Sequence, residues 1–214
     1  MTEEEKPKLD TPLEKLSHRV NLDYQKLKLT EYFLSNNCYS FRIVETPINY
    51  YDMNLDERQK IVQTHSKSTL CKSIILENKN FDPSIKCDLY QKFYLTIVQY
   101  VSEFNTEKIG RTLKNYLNSK FNLKLANKHF HFRLCDNDLA FEMTGFTFNA
   151  IGPYLMKCKD LMILFPKSLY DVYPEYFFLG GGEYELKVGL TIDDFMKLLG
   201  KNTIVLDTAP EQKK

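Results

Sequence analysis

The sequence predicts a single mixed α/β domain with short extensions. Three observations carry this. Stretches of helical spacing and short apolar strands alternate along the 214 residues. No repeating strand–helix–strand unit emerges, so a doubly wound parallel sheet is not indicated. No internal repeat or long linker divides a length that suits one large core.

The elements follow in order. Residues 1–12 hold Pro7, Pro12 and mixed charges, and read as a leader. Across 13–35, Leu13, Leu16, Val20, Leu27 and Leu34 recur at helical spacing, with a break expected near Asn21. Residues 38–45 alternate and are rich in strand formers, and Pro47 closes that strand. Asn54 is a plausible N-cap for a helix over 54–66. Residues 70–76 and 93–101 read as buried strands around a polar insertion at 78–92. Thr106 is taken as the cap of a helix over 106–119, with Ile109, Leu113, Tyr116 and Leu117 on one face. A short strand at 129–134 and a helix capped by Asp136 come next. Residues 162–165, 176–179 and 186–188 read as strands. Thr191 opens a last helix with an acid three residues on, and 203–206 is a final strand before the tail. The division expected is an extension over 1–20, the domain over 21–207 and a tail over 208–214.

Composition excludes several classes of function. Lys and Arg number 29 and Asp and Glu 28, so the chain is not a polycation that holds nucleic acid by bulk charge. At 43% hydrophobic and 14% aromatic it is not a disordered solvating chain. The charged start lacks the apolar core of a secretory signal, and runs such as 161–165 are far too short to span a bilayer. Cys38, Cys71, Cys87, Cys135 and Cys158 are scattered and never in CxxC spacing. Reduced thiols in a cytoplasmic protein are the expectation. His129 and His131 could share one strand face, but no third ligand is near them in sequence. No metal or cofactor is therefore expected.

The glycines are distributed unevenly. Of eight, only Gly110 precedes residue 145. Two clusters form, at Thr144-Gly-Phe-Thr-Phe-Asn-Ala-Ile-Gly-Pro153 and at Leu179-Gly-Gly-Gly182. One reading is loop punctuation, and the other is two backbone-lined walls of one pocket. Neither cluster fits a dinucleotide or P-loop fingerprint, and there is no G-x-S-x-G elbow.

Three blocks resemble the YbaK/ProX family of prolyl-tRNA-synthetase-associated editing domains. Leu70-Cys-Lys-Ser-Ile-Ile-Leu76 is similar to the family's lysine-containing strand. The 144–153 block is similar to its Thr-Gly…Pro loop, and Phe178-Leu-Gly-Gly-Gly182 with Leu186-Lys-Val and Asp194-Phe to its closing segment. Order and spacing fit from about 25 to 206. Tyr50-Tyr51-Asp52 and the stretch from Lys72 to Asn78 resemble a eukaryotic stand-alone branch.

The resemblance implies a central mixed, partly barrel-like sheet flanked by helices. It implies a trans-acting aminoacyl-tRNA deacylase that hydrolyses the ester of a mischarged tRNA bearing a small amino acid. Lys72 becomes the pocket lysine, with Lys67 as its rival. Gly145, Asn149, Ala150 and Pro153 fall in the substrate loop, with Gly180, Gly181 and Gly182 opposite. No protein nucleophile is implied; positioning and backbone groups supply the rate. The partners implied are the aminoacyl-tRNA acceptor end and an aminoacyl-tRNA synthetase, with no membrane. The chain departs from the pattern at Phe148, where some members carry His, and at Gly152, where Ser or Thr often precedes the Pro. These losses leave a second reading open, a catalytically weakened module of the same fold that binds tRNA or a synthetase. A generic hydrolase with a pocket is a third.

Charge patterning adds an independent feature. Residues 106–133 carry seven basic residues against Glu107, a local +6, while the rest of the chain carries −5. Lys108, Arg111, Lys114, Lys120, Lys124 and Lys128 are the candidate tRNA contacts, and Phe121, His129, Phe130, His131 and Phe132 are interleaved. Such a stretch can track phosphates and stack on unpaired bases, or be a solvated helix face with its aromatics in the core.

Overall fold

A computed structural model describes residues 9–207. The N-terminal helix α1 spans Pro12–Ser35. Thr11 caps it, accepting from the Glu14 amide while the Glu14 carboxylate accepts from the Thr11 amide, and Pro12 sits in the first turn. The expected break near Asn21 is not there. Asn21 is exposed, and asparagine costs an exposed helix position only a few tenths of a kcal/mol, about 0.5. Leu22, Gln25, Leu29 and Phe33 bury a continuous face directly after it, and His18 in the turn before it is hydrogen-bonded to Glu185, which together outweigh that cost.

The chain then forms β1 (Arg42–Glu45), α2 (Leu55–Val62), β2 (Cys71–Asn78) and β3 (Phe93–Gln99). Residues 38–41, expected in the first strand, lie outside β1. Asn54 caps α2 as its sequence suggests, accepting from the amides of Asp56 and Glu57. That helix stops at Val62 because Gln63 turns left-handed, with φ 52°. Helix α3 (Thr106–Phe121) is capped by Asn105 rather than Thr106, since the Asn105 side chain accepts from the Lys108 amide. β4 (Phe132–Leu134) is shorter than expected because residues 127–129 form a 3-10 turn. There follow α4 (Asn137–Thr144), β5 (Met162–Pro166), β6 (Tyr176–Gly180), β7 (Leu186–Thr191), α5 (Ile192–Leu199) and β8 (Thr203–Leu206).

The strands build two sheets. One has five strands in the order β4-β2-β3-β5-β8; β2 pairs antiparallel with β3 and β4, and β5 pairs parallel with β3 and β8. The other is antiparallel, in the order β1-β7-β6. A bridge between Leu70 and Phe178 joins them. Neither sheet closes into a barrel among the described residues.

Period-two alternation sorts the strand residues onto two cores. Cys71, Ile75, Leu95, Ile97 and Ile163 face the main core, which α1, α5 and the three-stranded sheet complete through Leu29, Phe33, Phe195 and Val188. Leu76, Tyr94, Leu164 and Leu206 face the other way, under Ile109, Leu113 and Leu117 of α3. A third cluster of Tyr50, Val62, Leu70 and Phe178 lies where the two sheets meet. The loop and the turn that carry the glycines are held at this junction. No helix among the described residues is long and apolar enough to cross a membrane.

Candidate functional site

The two glycine clusters come into direct backbone contact. Gly152 and Gly180 lie so close that a Cβ on Gly152 would fall 2.0 Å from the Gly180 carbonyl oxygen. A Cβ on Gly180 would meet the Ile151 carbonyl oxygen at 2.4 Å. Only glycine permits two chains to approach this closely. The Gly182 amide donates to the Ala150 carbonyl at 2.9 Å, and the Gly181 amide to Leu186 at 2.9 Å. Ala150 is fully buried and its amide donates to Thr147. These three amides are therefore engaged within the protein. Gln25 of α1 donates to the Gly181 carbonyl at 2.9 Å, so α1 braces the back of this turn.

The loop is shaped at three other points. Gly145 ends α4 in the left-handed region, at φ 78°, against the stem of Lys157. Asn149 is also left-handed, at φ 64°, a conformation asparagine tolerates better than most residues. Pro153 is buried. Phe148, by contrast, is 46% exposed, so it points outward from the loop rather than filling its interior.

Lys72 stands on β2 opposite Val98 and is half-buried. Its Nζ lies 5.8 Å from the centre of the Tyr100 ring. The rival Lys67 is tied up, 2.8 Å from Asp56. Arg58 of α2 links Lys72 to the glycine loop through aromatic rings. Its guanidinium sits 5.2 Å from the Tyr100 ring and 5.4 Å from the rings of both Tyr50 and Tyr51. It also donates to the carbonyls of Tyr51 and Met53, fixing the turn that carries those rings. The Tyr51 hydroxyl then donates to the Asn149 carbonyl. Lys72, the tyrosine cluster and the 144–153 loop thus form one connected constellation.

Lys187 of β7, a residue assigned no role in the sequence, lies at its centre. It is 5% exposed. Its Nζ donates to the Tyr51 hydroxyl at 2.8 Å and to the carbonyls of Tyr184 and Leu186 at 3.2 and 3.3 Å. It lies over the rings of Tyr51 and Tyr50. Burial first, and the Arg58 charge second, pull its pKa down to about 7, while Glu185 opposes them. Burial likewise holds the Tyr51 hydroxyl well above its ordinary range, so it stays protonated. An unfolded lysine keeps its proton to a much higher pH. Through this group, unfolding takes up a proton between about pH 7 and 10, so its contribution to stability rises with pH across that window. The rise should amount to on the order of 4 kcal/mol. Burial raises the Cys38, Cys71 and Cys135 thiols and the Tyr94 and Tyr154 hydroxyls, which act in the opposite sense toward pH 10, so the Lys187 part is read as the difference between urea melts of the wild type and of Lys187→Met at about pH 7 and pH 10.

The basic stretch lies on α3 and the loop after it, which cover the same sheet face that carries Lys72. Arg111, Lys120, Lys124 and Lys128 are exposed, and Lys108 and Lys114 half-exposed. Lys114 donates to Asn127 and Lys120 to the Tyr116 hydroxyl. Arg133 pairs with the buried Glu77 carboxylate at 2.9 Å and so belongs to the frame. Phe132 is buried and Phe130 packs beside it under α3, whereas Phe121 is 44% exposed. Of the interleaved phenylalanines, then, only Phe121 stands out from the surface. Among the described residues no group of three or more His, Cys, Asp or Glu is placed to hold a metal.

No protein-family model and no curated protein matches the sequence. Solved structures do match. A candidate trans-editing enzyme for prolyl tRNA synthetase superposes with a TM-score of 0.62 over 86% of this chain and 98% of its own, at 15% identity. The fold is YbaK-like. Two further structures share it. A scaffold protein from computational epitope grafting gives a TM-score of 0.63 at 15% identity, over 87% of this chain and 97% of that one. The hypothetical protein APE2540 gives 0.57 at 12% identity, over 84% and 98%. At such identities the likeness establishes the YbaK-like architecture; the chemistry must be argued from this chain's own residues.

Sequence reasoning missed Arg58, Tyr100 and Lys187 and gave Tyr51 no role. Lys187 alone carried a readable signal, a lysine inside an otherwise apolar strand.

Proposed function

We propose that the protein is a trans-acting aminoacyl-tRNA deacylase that removes a small amino acid from a mischarged tRNA. The observation that carries the reading is the placement of Lys72. Its ammonium shares the Tyr100–Arg58–Tyr51 cluster with the left-handed Asn149 loop, and no carboxylate pairs with it among the described residues. A half-buried cation without a counter-charge favours an incoming anion or a polarised carbonyl.

In this reading the 144–153 loop holds the aminoacyl group and Lys72 faces the ester. Water attacks the ester carbonyl, the neighbouring ribose hydroxyl orienting it, and the water proton passes to the departing ribose oxygen. The carbon–oxygen bond to the tRNA breaks, and the tRNA keeps its hydroxyl. Lys72 stabilises the negative charge that grows on the carbonyl oxygen. The amides of Ala150, Gly181 and Gly182 already donate within the protein. Their part is to hold the loop rigid, so that geometry supplies the remaining advantage. The reading is tested by incubating the protein with mischarged tRNAs and measuring release of the amino acid.

The α3 surface would receive the tRNA backbone. Reversing Lys120 and Lys124 to Glu should weaken tRNA binding and lower the salt slope by about one per lost phosphate contact. Filter binding across a salt series checks this, and an unchanged slope rejects the surface.

A second reading is favoured by position 152. A side chain there would collide with the Gly180 carbonyl, and Phe148 turns outward. The loop therefore offers no polar side chain at either place, as in a weakened module that binds tRNA or a synthetase without efficient hydrolysis. Binding without amino acid release would favour it.

A further inference from the structure

Lys187 and Tyr51 have a hydrogen-bond arithmetic that reaches the loop. Four bonds connect them to their surroundings. The Lys187 Nζ donates to the Tyr184 carbonyl, the Leu186 carbonyl and the Tyr51 oxygen, and the Tyr51 hydroxyl donates to the Asn149 carbonyl. An ammonium has three N–H donors and no lone pair. With Lys187 protonated, all four bonds are made at once.

A neutral amine has two N–H donors and one lone pair. The two N–H groups can keep the two carbonyls. The lone pair can then accept only from the Tyr51 hydroxyl, whose single proton must leave the Asn149 carbonyl to supply it. The lysine proton goes to water, and no other covalent bond is made or broken. The Asn149 carbonyl thus gains or loses its partner according to the state of an amine on a different strand. Asn149 is the non-glycine residue of the loop held in the left-handed region, so its peptide orientation depends strongly on that partner.

We propose that Lys187 and Tyr51 are positioning residues for the 144–153 loop, with the Tyr51 hydroxyl redirecting its hydrogen bond between the Asn149 carbonyl and the Lys187 amine. The assignment of a reaction to that loop rests on the deacylase reading; the coupling itself does not. Several charged or titratable groups face this pair. Arg58 comes from α2, Tyr50 from the turn before it, and Tyr100 from the end of β3, with Lys72 on its ring. Glu183, Tyr184 and Glu185 come from the turn between β6 and β7, and His18 of α1 is hydrogen-bonded to Glu185. Burial raises the pKa of Glu183. His18, reaching the pair through Glu185, is the control that matters.

The experiment needs no substrate. Heteronuclear NMR of the full chain follows the Lys187 Nζ and the Ala150 amide, which shares its peptide group with the Asn149 carbonyl, from about pH 5 to pH 9. The expected result is one shared midpoint near neutrality. The Ala150 titration should be lost in Tyr51→Phe and retained in His18→Gln. An Ala150 amide that stays flat while Lys187 titrates overturns the proposal. So does a Lys187 that keeps one protonation state throughout, or an Ala150 titration that disappears with His18. The wild-type titration decides even where a variant does not fold. Deacylation then separates the two claims. An activity inflection at the same pH, absent in Tyr51→Phe, supports both. Coupling seen by NMR with no hydrolysis of any mischarged tRNA rejects the deacylase reading and leaves the positioning pair standing.

Discussion

Gly152→Ala should destabilise the protein by roughly 2–6 kcal/mol and dislodge the 144–153 loop. A methyl group at this position would sit 2.0 Å from the Gly180 carbonyl oxygen and 2.9 Å from its carbon. These are backbone atoms of β6, which pairs with β7 through Leu179 and Val188 in the main core. They cannot move aside as the end of a flexible side chain can. The loop must retreat instead, and it then loses the Gly182 amide from the Ala150 carbonyl. Overpacking alone costs roughly 1–3 kcal/mol, and an orphaned buried carbonyl adds about 1–3 more. Urea melts measure the loss. Gly200→Ala is the matched control, because it has an ordinary helical φ of −58° and its nearest obstacle is Met196 at 3.7 Å. That change should be neutral or stabilising by up to about 1 kcal/mol. Equal effects at both positions would show that the two backbones do not need their close approach.

Lys72→Ala should leave the fold intact and lower deacylation by about 100- to 1000-fold. No ion pair or hydrogen bond to a carboxylate is lost with it among the described residues. What goes is a distant cation–π contact with Tyr100, worth about 1 kcal/mol. A large fall in rate with a melt unchanged within about 1 kcal/mol would mark a residue that acts on the substrate rather than on the structure. Lys67→Ala provides the contrast. It breaks one partly exposed pair with Asp56, worth at most about 1 kcal/mol, and should leave the rate unaltered. A comparable loss of rate in both variants would mean that general positive charge, not Lys72, matters here.

How far these residues could be read from the sequence depended on how local their cause is. The cap of α2 was legible because Asn54 and Glu57 satisfy each other's backbone within one turn. Buried strands such as β3 and β5 were legible because both faces are covered, leaving a continuous apolar run. The end of α2 was not, because it depends on Gln63 adopting a left-handed conformation that its residue type does not announce. The unbroken α1 was not, because its continuity comes from packing of Leu22 and Leu29 on the core. In the site, glycine marked the close approach of Gly152 and Gly180 because no other residue fits there. Arg58 and Tyr100 carried no mark, since nothing local distinguishes them from surface residues of the same type. They come together only because α2 and the end of β3 meet at the junction of the two sheets.

The central claim, that this loop and this lysine hydrolyse an aminoacyl ester, meets its most direct test in single-turnover deacylation. Purified protein in excess is mixed with tRNAs mischarged with alanine, cysteine or proline, and the wild type is compared with Lys72→Ala on the same substrates. The wild type should release at least one of these amino acids rapidly, and Lys72→Ala should lose that release. Release at the uncatalysed rate from every tRNA, or equal release by the two proteins, would contradict the claim.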